Sequence, residues 1–98
     1  MPSSQIESKL AVHIVIKGKV QGVSFRYFTL KQARELEITG WVQNKPNGNV
    51  EVFANGNKTN LELFIKKLQQ GSSFSKVDNV ILNWEYSENN YSDFSIIY

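Results

Sequence analysis

Apolar side chains stand at alternate positions at Leu10, Val12, Ile14 and Ile16, with Ala11, His13, Val15 and Lys17 between them. A period of two marks a strand with one buried face. The polar, serine-rich residues 1–8 before it predict a flexible tail, so the folded domain is expected over 9–98. The alternation gives way at Gly18, and Gly18 to Val23 reads as a loop. From Ser24 the period lengthens. Phe25, Phe28, Ala33 and Leu36 follow helical spacing, with Ser24 or a neighbour placed to cap the helix.

The pattern then shortens again. Gly40 to Asn44 reads as a strand and Lys45-Pro46-Asn47-Gly48 as a turn, since proline presets φ and glycine suits a left-handed position. Val50, Val52 and Ala54 alternate along a returning strand, which Asn55-Gly56-Asn57 ends. Thr59 and Glu62 have the spacing of a capping box ahead of Leu61, Phe64, Ile65 and Leu68, and Gly71 suits a helix C-terminus. Ser72 to Lys76 is a polar loop. Val80, Leu82, Trp84 and Tyr86 alternate as a further strand, and after the polar stretch 87–92, Asp93 to Tyr98 gives a short last one. The order β-α-β-β-α-β-β predicts an α+β fold: a ferredoxin-like β-α-β-β-α-β sandwich with an extra C-terminal strand, an antiparallel-rich sheet and two helices on one face. Phe25 and Phe28 are expected in the core, Trp41 and Trp84 as packing residues, Lys66-Lys67 on a solvated helix face, and His13 opposite the apolar stripe in a structural or exposed place.

Composition narrows the chemistry. The chain has 98 residues, room for one domain. At 41% hydrophobic and 12% aromatic, it can build a core without staples. The absence of cysteine excludes disulfides and zinc–thiolate sites, and a single histidine leaves little for a metal site. A net charge of +2 suits a small anionic ligand and is too weak to argue for nucleic acid. No apolar run approaches the ~18 residues of a membrane span, and no apolar leader opens the chain. A cytoplasmic protein without membrane association is therefore expected.

The segment Gly18-Lys19-Val20-Gln21-Gly22-Val23-Ser24-Phe25-Arg26 carries candidate chemistry. A β-branched strand runs into glycines, and an arginine follows where a helix should begin. Glycine lets backbone approach an anion, and the first N–H groups of a helix lack intrahelical partners. Arg26 falls in the first helical turn, which the helix dipole makes unfavourable for a cation. An anion between it and the loop removes that conflict, and a guanidinium fork grips two phosphate oxygens at once. Taken alone, such a loop is as often a tight connection as a binding site, whereas Arg26 is more often a solvated helix arginine than a phosphate clamp and Asn44 more often a turn residue beside Pro46-Asn47-Gly48.

Joined, the two segments resemble the acylphosphatase family. The first signature of that family is met by Gly18, Val20, Gln21, Gly22, Val23, Phe25 and Arg26. The second is met by Gly40, Trp41, Val42, Asn44, Gly48, Val50 and Gly56. Element order agrees from Leu10 to Tyr98. The resemblance implies hydrolysis of acyl phosphates to a carboxylate and inorganic phosphate by a monomer that needs neither metal nor cofactor. It implies that Val20, Gln21, Gly22, Val23, Ser24, Phe25 and Arg26 bind the phosphate and that Asn44 holds the attacking water. The chemistry is consistent. Phosphoryl transfer asks mainly for positioning and charge stabilisation, and a carboxylate leaving group needs no general acid. An amide both accepts and donates, as holding a water requires.

Two other functions fit the same pattern. One is a catalytically silent or regulatory anion-binding domain of the same family. Such domains also occur fused to larger carbamoyl-transfer maturation proteins, and with nothing after Tyr98 a free-standing enzyme is expected. The other is an RNA-binding module of the same topology. The strand from Asn49 to Gly56 offers it only Phe53 as a stacking aromatic. The chain departs from the family pattern at Glu37, where a glycine is usual and a left-handed residue would be strained. It departs again at Ser72-Ser73, where the family's prolines are missing and a looser loop is expected.

Overall fold

The computed structural model describes residues 10–86 and 91–98. The expected tail at 1–8 and most of the polar stretch 87–92 lie outside the described residues. The elements run β1 (Leu10–Lys19), α1 (Phe25–Glu35), β2 (Thr39–Asn44), β3 (Val50–Gly56), α2 (Lys58–Gln70), β4 (Lys76–Tyr86) and β5 (Phe94–Ile97). The strands form one sheet in the order β4-β1-β3-β2-β5. All pairings are antiparallel except that of β2 with β5. This is the ferredoxin-like arrangement with an added edge strand.

The alternation in β1 is used as expected. Val12, Ile14 and Ile16 are fully buried and join Val42, Val50, Val52, Ala54 and Phe94 from the neighbouring strands. Phe25 and Ala33 of α1 and Leu61, Phe64, Ile65 and Leu68 of α2 complete the same core, so both helices cover one face of the sheet. The opposite face carries His13, Phe53 and Trp41 in a row across β1, β3 and β2. There the Trp41 ring stacks on Phe53 at 6.3 Å and meets His13 edge-on at 6.4 Å. Gly40 is imposed by this sheet: a Cβ there would stand 1.8 Å from the Phe53 carbonyl oxygen.

Several boundaries differ from the sequence expectation. β1 continues through Gly18 and Lys19, paired to Val77 and Lys76 of β4 after a register shift at Lys17/Gly18. β4 accordingly begins at Lys76. Helix α2 is capped by Asn57, whose side chain accepts from the Asn60 N–H at 2.8 Å, and the expected Thr59–Glu62 capping box falls inside the helix. Trp84 is 42% exposed on the edge strand β4 rather than packed. The serine loop is closed on itself: Ser75 Oγ accepts from Ser72 N–H at 2.8 Å and donates to the Ser72 carbonyl at 3.0 Å. β5 is docked by Arg34 of α1, which donates to the Asp93 carboxylate at 3.2 Å and the Phe94 carbonyl at 3.3 Å.

Candidate active site

β1 delivers the chain to a loop at one end of the sheet. Val20 is buried and anchors the loop in the core. The Gln21 amide donates to the carbonyls of Lys45 at 2.7 Å and Asn49 at 2.8 Å, bonding the loop to the β2–β3 hairpin. Gly22 has φ 74, and no heavy atom lies within 4 Å of where a Cβ would stand. Glycine is required there by conformation, and the space above it is open.

Ser24 stands at the N-cap of α1 with φ 61 and ψ 25. Its carbonyl accepts from the Phe28 N–H at 3.0 Å and so starts the helix. Its side chain makes no cap hydrogen bond, contrary to expectation. The reason is conformational: a capping side chain needs extended backbone, and Ser24 is left-handed. A non-glycine residue in that region costs about 1 kcal/mol or more. The first-turn N–H groups are thus left without a side-chain acceptor, and no acidic residue stands in that turn.

Those groups border a cavity of about 350 Å³ lined by Val20, Gly22, Ser24, Phe25, Arg26 and Asn44. Arg26 is half-buried, and among the described residues it has no ion-pair partner. Its guanidinium carbon lies 4.9 Å from the centre of the Tyr98 ring. Asn44 is the last residue of β2, opposite Val50 of β3. Its Oδ1 is buried and has no hydrogen-bond partner among the described residues. A buried acceptor left unpaired costs about 1–3 kcal/mol. The Asn55 Oδ1 and Ser72 Oγ atoms are unpartnered in the same way, and of the three residues only Asn44 lines this cavity.

Of the residues singled out in the sequence, the structure gathers Val20, Gly22, Ser24, Phe25, Arg26 and Asn44 around one cavity. Gln21 and Val23 do not line it: Gln21 faces the hairpin, and Val23 borders a neighbouring groove. Three lining residues escaped sequence reasoning, namely Tyr27, Ile96 and Tyr98. Tyr27 had a signal, since it follows Arg26 on the helix that opens the site. Ile96 and Tyr98 had none, because they arrive through the parallel pairing of β5 with β2. Among the described residues, no group of three His, Asp or Glu side chains is placed to hold a metal ion, and no helix is long and apolar enough to cross a membrane.

A glycine loop and helix start on a ferredoxin-like sheet, faced by an arginine and a buried amide, define an α+β domain with a polar cavity at the end of its sheet. The acylphosphatase family model matches residues 12–96. An acylphosphatase of Bacillus licheniformis is 40% identical over 89 residues, covering 91% of this chain and 99% of that one. One of Dehalococcoides mccartyi is 46% identical over 85 residues, covering 86% and 93%. The crystal structure of acylphosphatase from Bacillus subtilis matches with a TM-score of 0.89 at 38% identity, over 91% of this chain and 99% of that one. The chain belongs to the acylphosphatase family.

Proposed function

We propose that this enzyme hydrolyses acyl phosphates, the mixed anhydrides of carboxylic and phosphoric acids, by in-line attack of a water held by Asn44. The phosphoryl group sits over Gly22 at the N-terminus of α1, where the backbone N–H groups from Gly22 to Phe25 face its oxygens. The Arg26 guanidinium takes two of those oxygens from the side. Asn44 Oδ1 accepts a hydrogen bond from the water and aims its lone pair at phosphorus. The water oxygen bonds to phosphorus as the bond from phosphorus to the acyl oxygen breaks. The carboxylate departs with the electron pair, and both water hydrogens finish on dihydrogen phosphate. The carboxylic acid has a pKa of about 4, so the leaving group needs no proton. Charge spread over the phosphoryl oxygens in the transition state is met by fixed N–H dipoles and the guanidinium.

One observation carries this reading: Asn44, whose buried Oδ1 has no hydrogen-bond partner among the described residues, lines the same cavity as Arg26 and the uncapped start of α1. The small anionic substrate and the lack of cysteine fit the cytoplasm. The test compares wild type with Asn44→Ala on acetyl phosphate, in EDTA. Turnover by wild type and a large fall in kcat with little change in KM are expected. An unchanged kcat in the variant removes the water-holding role. Inorganic phosphate should compete with substrate in both proteins.

A further inference from the structure

We infer that the groove between α1 and the serine loop is the subsite for the acyl group, and that Phe74 and Tyr27 give this enzyme a preference for acyl phosphates with an apolar or aromatic acyl part. The inference rests on the function proposed above. The open groove, of about 570 Å³, adjoins the proposed phosphate cavity and shares Gly22, Ser24 and Tyr27 with it as lining residues. Its far wall is Phe28 of α1 together with Ser73 and Phe74 of the loop before β4. Phe74 is 80% exposed and Tyr27 66% exposed, so two large rings face solvent beside the phosphate loop. Neither ring contributes to the buried core, whereas Phe28 is packed against it.

The topology fixes the direction in which the acyl group must lie. β1 has β4 on one side and β3, then β2, on the other. Asn44 ends β2, and the loop carrying Phe74 leads into β4 beside Lys19. Both therefore flank the phosphate loop at one end of the sheet, from opposite sides. In a phosphoryl transfer the attacking and leaving oxygens are roughly in line. A water held on the β2 side sends the leaving carboxylate toward the β4 side, which is where the aromatic groove lies. The turn bonds between Ser72 and Ser75 hold Phe74 at the tip of its loop.

The experiment measures kcat/KM for benzoyl phosphate and acetyl phosphate with wild type, Phe74→Ala and Tyr27→Leu. Taking the ratio of the two substrates cancels their different intrinsic reactivity. Covering about 40–60 Å² of ring predicts a benzoyl-to-acetyl ratio that falls roughly five- to tenfold in Phe74→Ala. The exposed position of Phe74 keeps the variant folded. Acetyl phosphate turnover and inhibition by inorganic phosphate should change less than twofold in that variant. Tyr27→Leu should lower the ratio in the same direction. A ratio unchanged within twofold in both variants, or equal losses on both substrates, overturns the subsite while leaving the phosphatase reading intact. Failure of wild type to turn over either substrate overturns both.

Discussion

The Gln21 side-chain amide donates to the Lys45 carbonyl at 2.7 Å, joining the phosphate loop to the residue that follows Asn44. Its second bond, to Asn49 at 2.8 Å, reaches the other arm of the same turn. The loop proposed to hold the anion and the strand end that carries the amide are thereby set at a fixed separation by one side chain. Gln21 thus acts on the site without lining it.

Gln21→Ala should therefore cost stability and catalysis together. Two carbonyls lose a partly buried donor, which predicts a loss of about 1–2 kcal/mol in urea unfolding. Because small misplacements of a reacting group are costly, kcat should fall roughly ten- to a hundredfold. Inhibition by inorganic phosphate should change far less, since the loop backbone and Arg26 remain. A loss of phosphate binding as large as the loss of kcat would mean that Gln21 shapes the anion loop itself instead of its distance from Asn44.

Arg26 and Tyr98 give a second prediction. The Tyr98 ring lies 4.9 Å from the guanidinium and is itself 91% exposed. An exposed cation–π contact contributes about 0.5–1 kcal/mol, so Tyr98→Ala should raise KM roughly two- to fivefold by freeing the arginine. Arg26→Lys keeps the charge, loses the fork, and should weaken phosphate inhibition by more than Tyr98→Ala does. Equal inhibition constants for wild type and Arg26→Lys would rule out a two-oxygen grip.

The loop, Arg26 and Asn44 were legible because each sits next to punctuation the chain cannot avoid, glycine after one strand and Pro46-Asn47-Gly48 after another. The strands β1 and β3 were legible from their period of two. What escaped depends on choices made between elements. Asn57 and Thr59 are both capping residue types two positions apart, and only the fold selects Asn57. Ser24 resembles an ordinary cap, yet the loop holds it left-handed. β5 is four residues long, too short for its pattern to name a partner, so the arrival of Ile96 and Tyr98 could not be read. Trp84 looks like a core residue by alternation and is exposed because β4 lies at the sheet edge.

The pH profile should be flat. The groups proposed to act are an amide, a guanidinium and backbone N–H groups, with no general acid or base among them. The single histidine, His13, lies on the sheet face away from the helices, 3.3 Å from the Glu51 carboxylate. His13→Gln should leave kcat and its pH dependence as in wild type. A bell-shaped profile near neutrality that disappears in this variant would place His13 in the chemistry.

Glu37 provides a stability prediction far from the site. Helix α1 ends in a Schellman motif: the Ile38 N–H donates to the Ala33 carbonyl at 2.8 Å and the Glu37 N–H to the Arg34 carbonyl at 3.3 Å. Glu37 occupies the left-handed position of that motif with φ 57, so the strain expected of a non-glycine residue in that conformation applies to it. It also places a negative charge at the helix C-terminus, the unfavourable end of the dipole. Replacement by glycine removes about 1–2 kcal/mol of left-handed strain, partly offset by the greater freedom of glycine in the unfolded chain. Glu37→Gly should therefore raise unfolding stability by roughly 0.5–1 kcal/mol with kcat and KM unchanged. Asn, which tolerates the same region, should give a smaller gain. A destabilised glycine variant would mean that the Glu37 side chain makes a compensating interaction in solution.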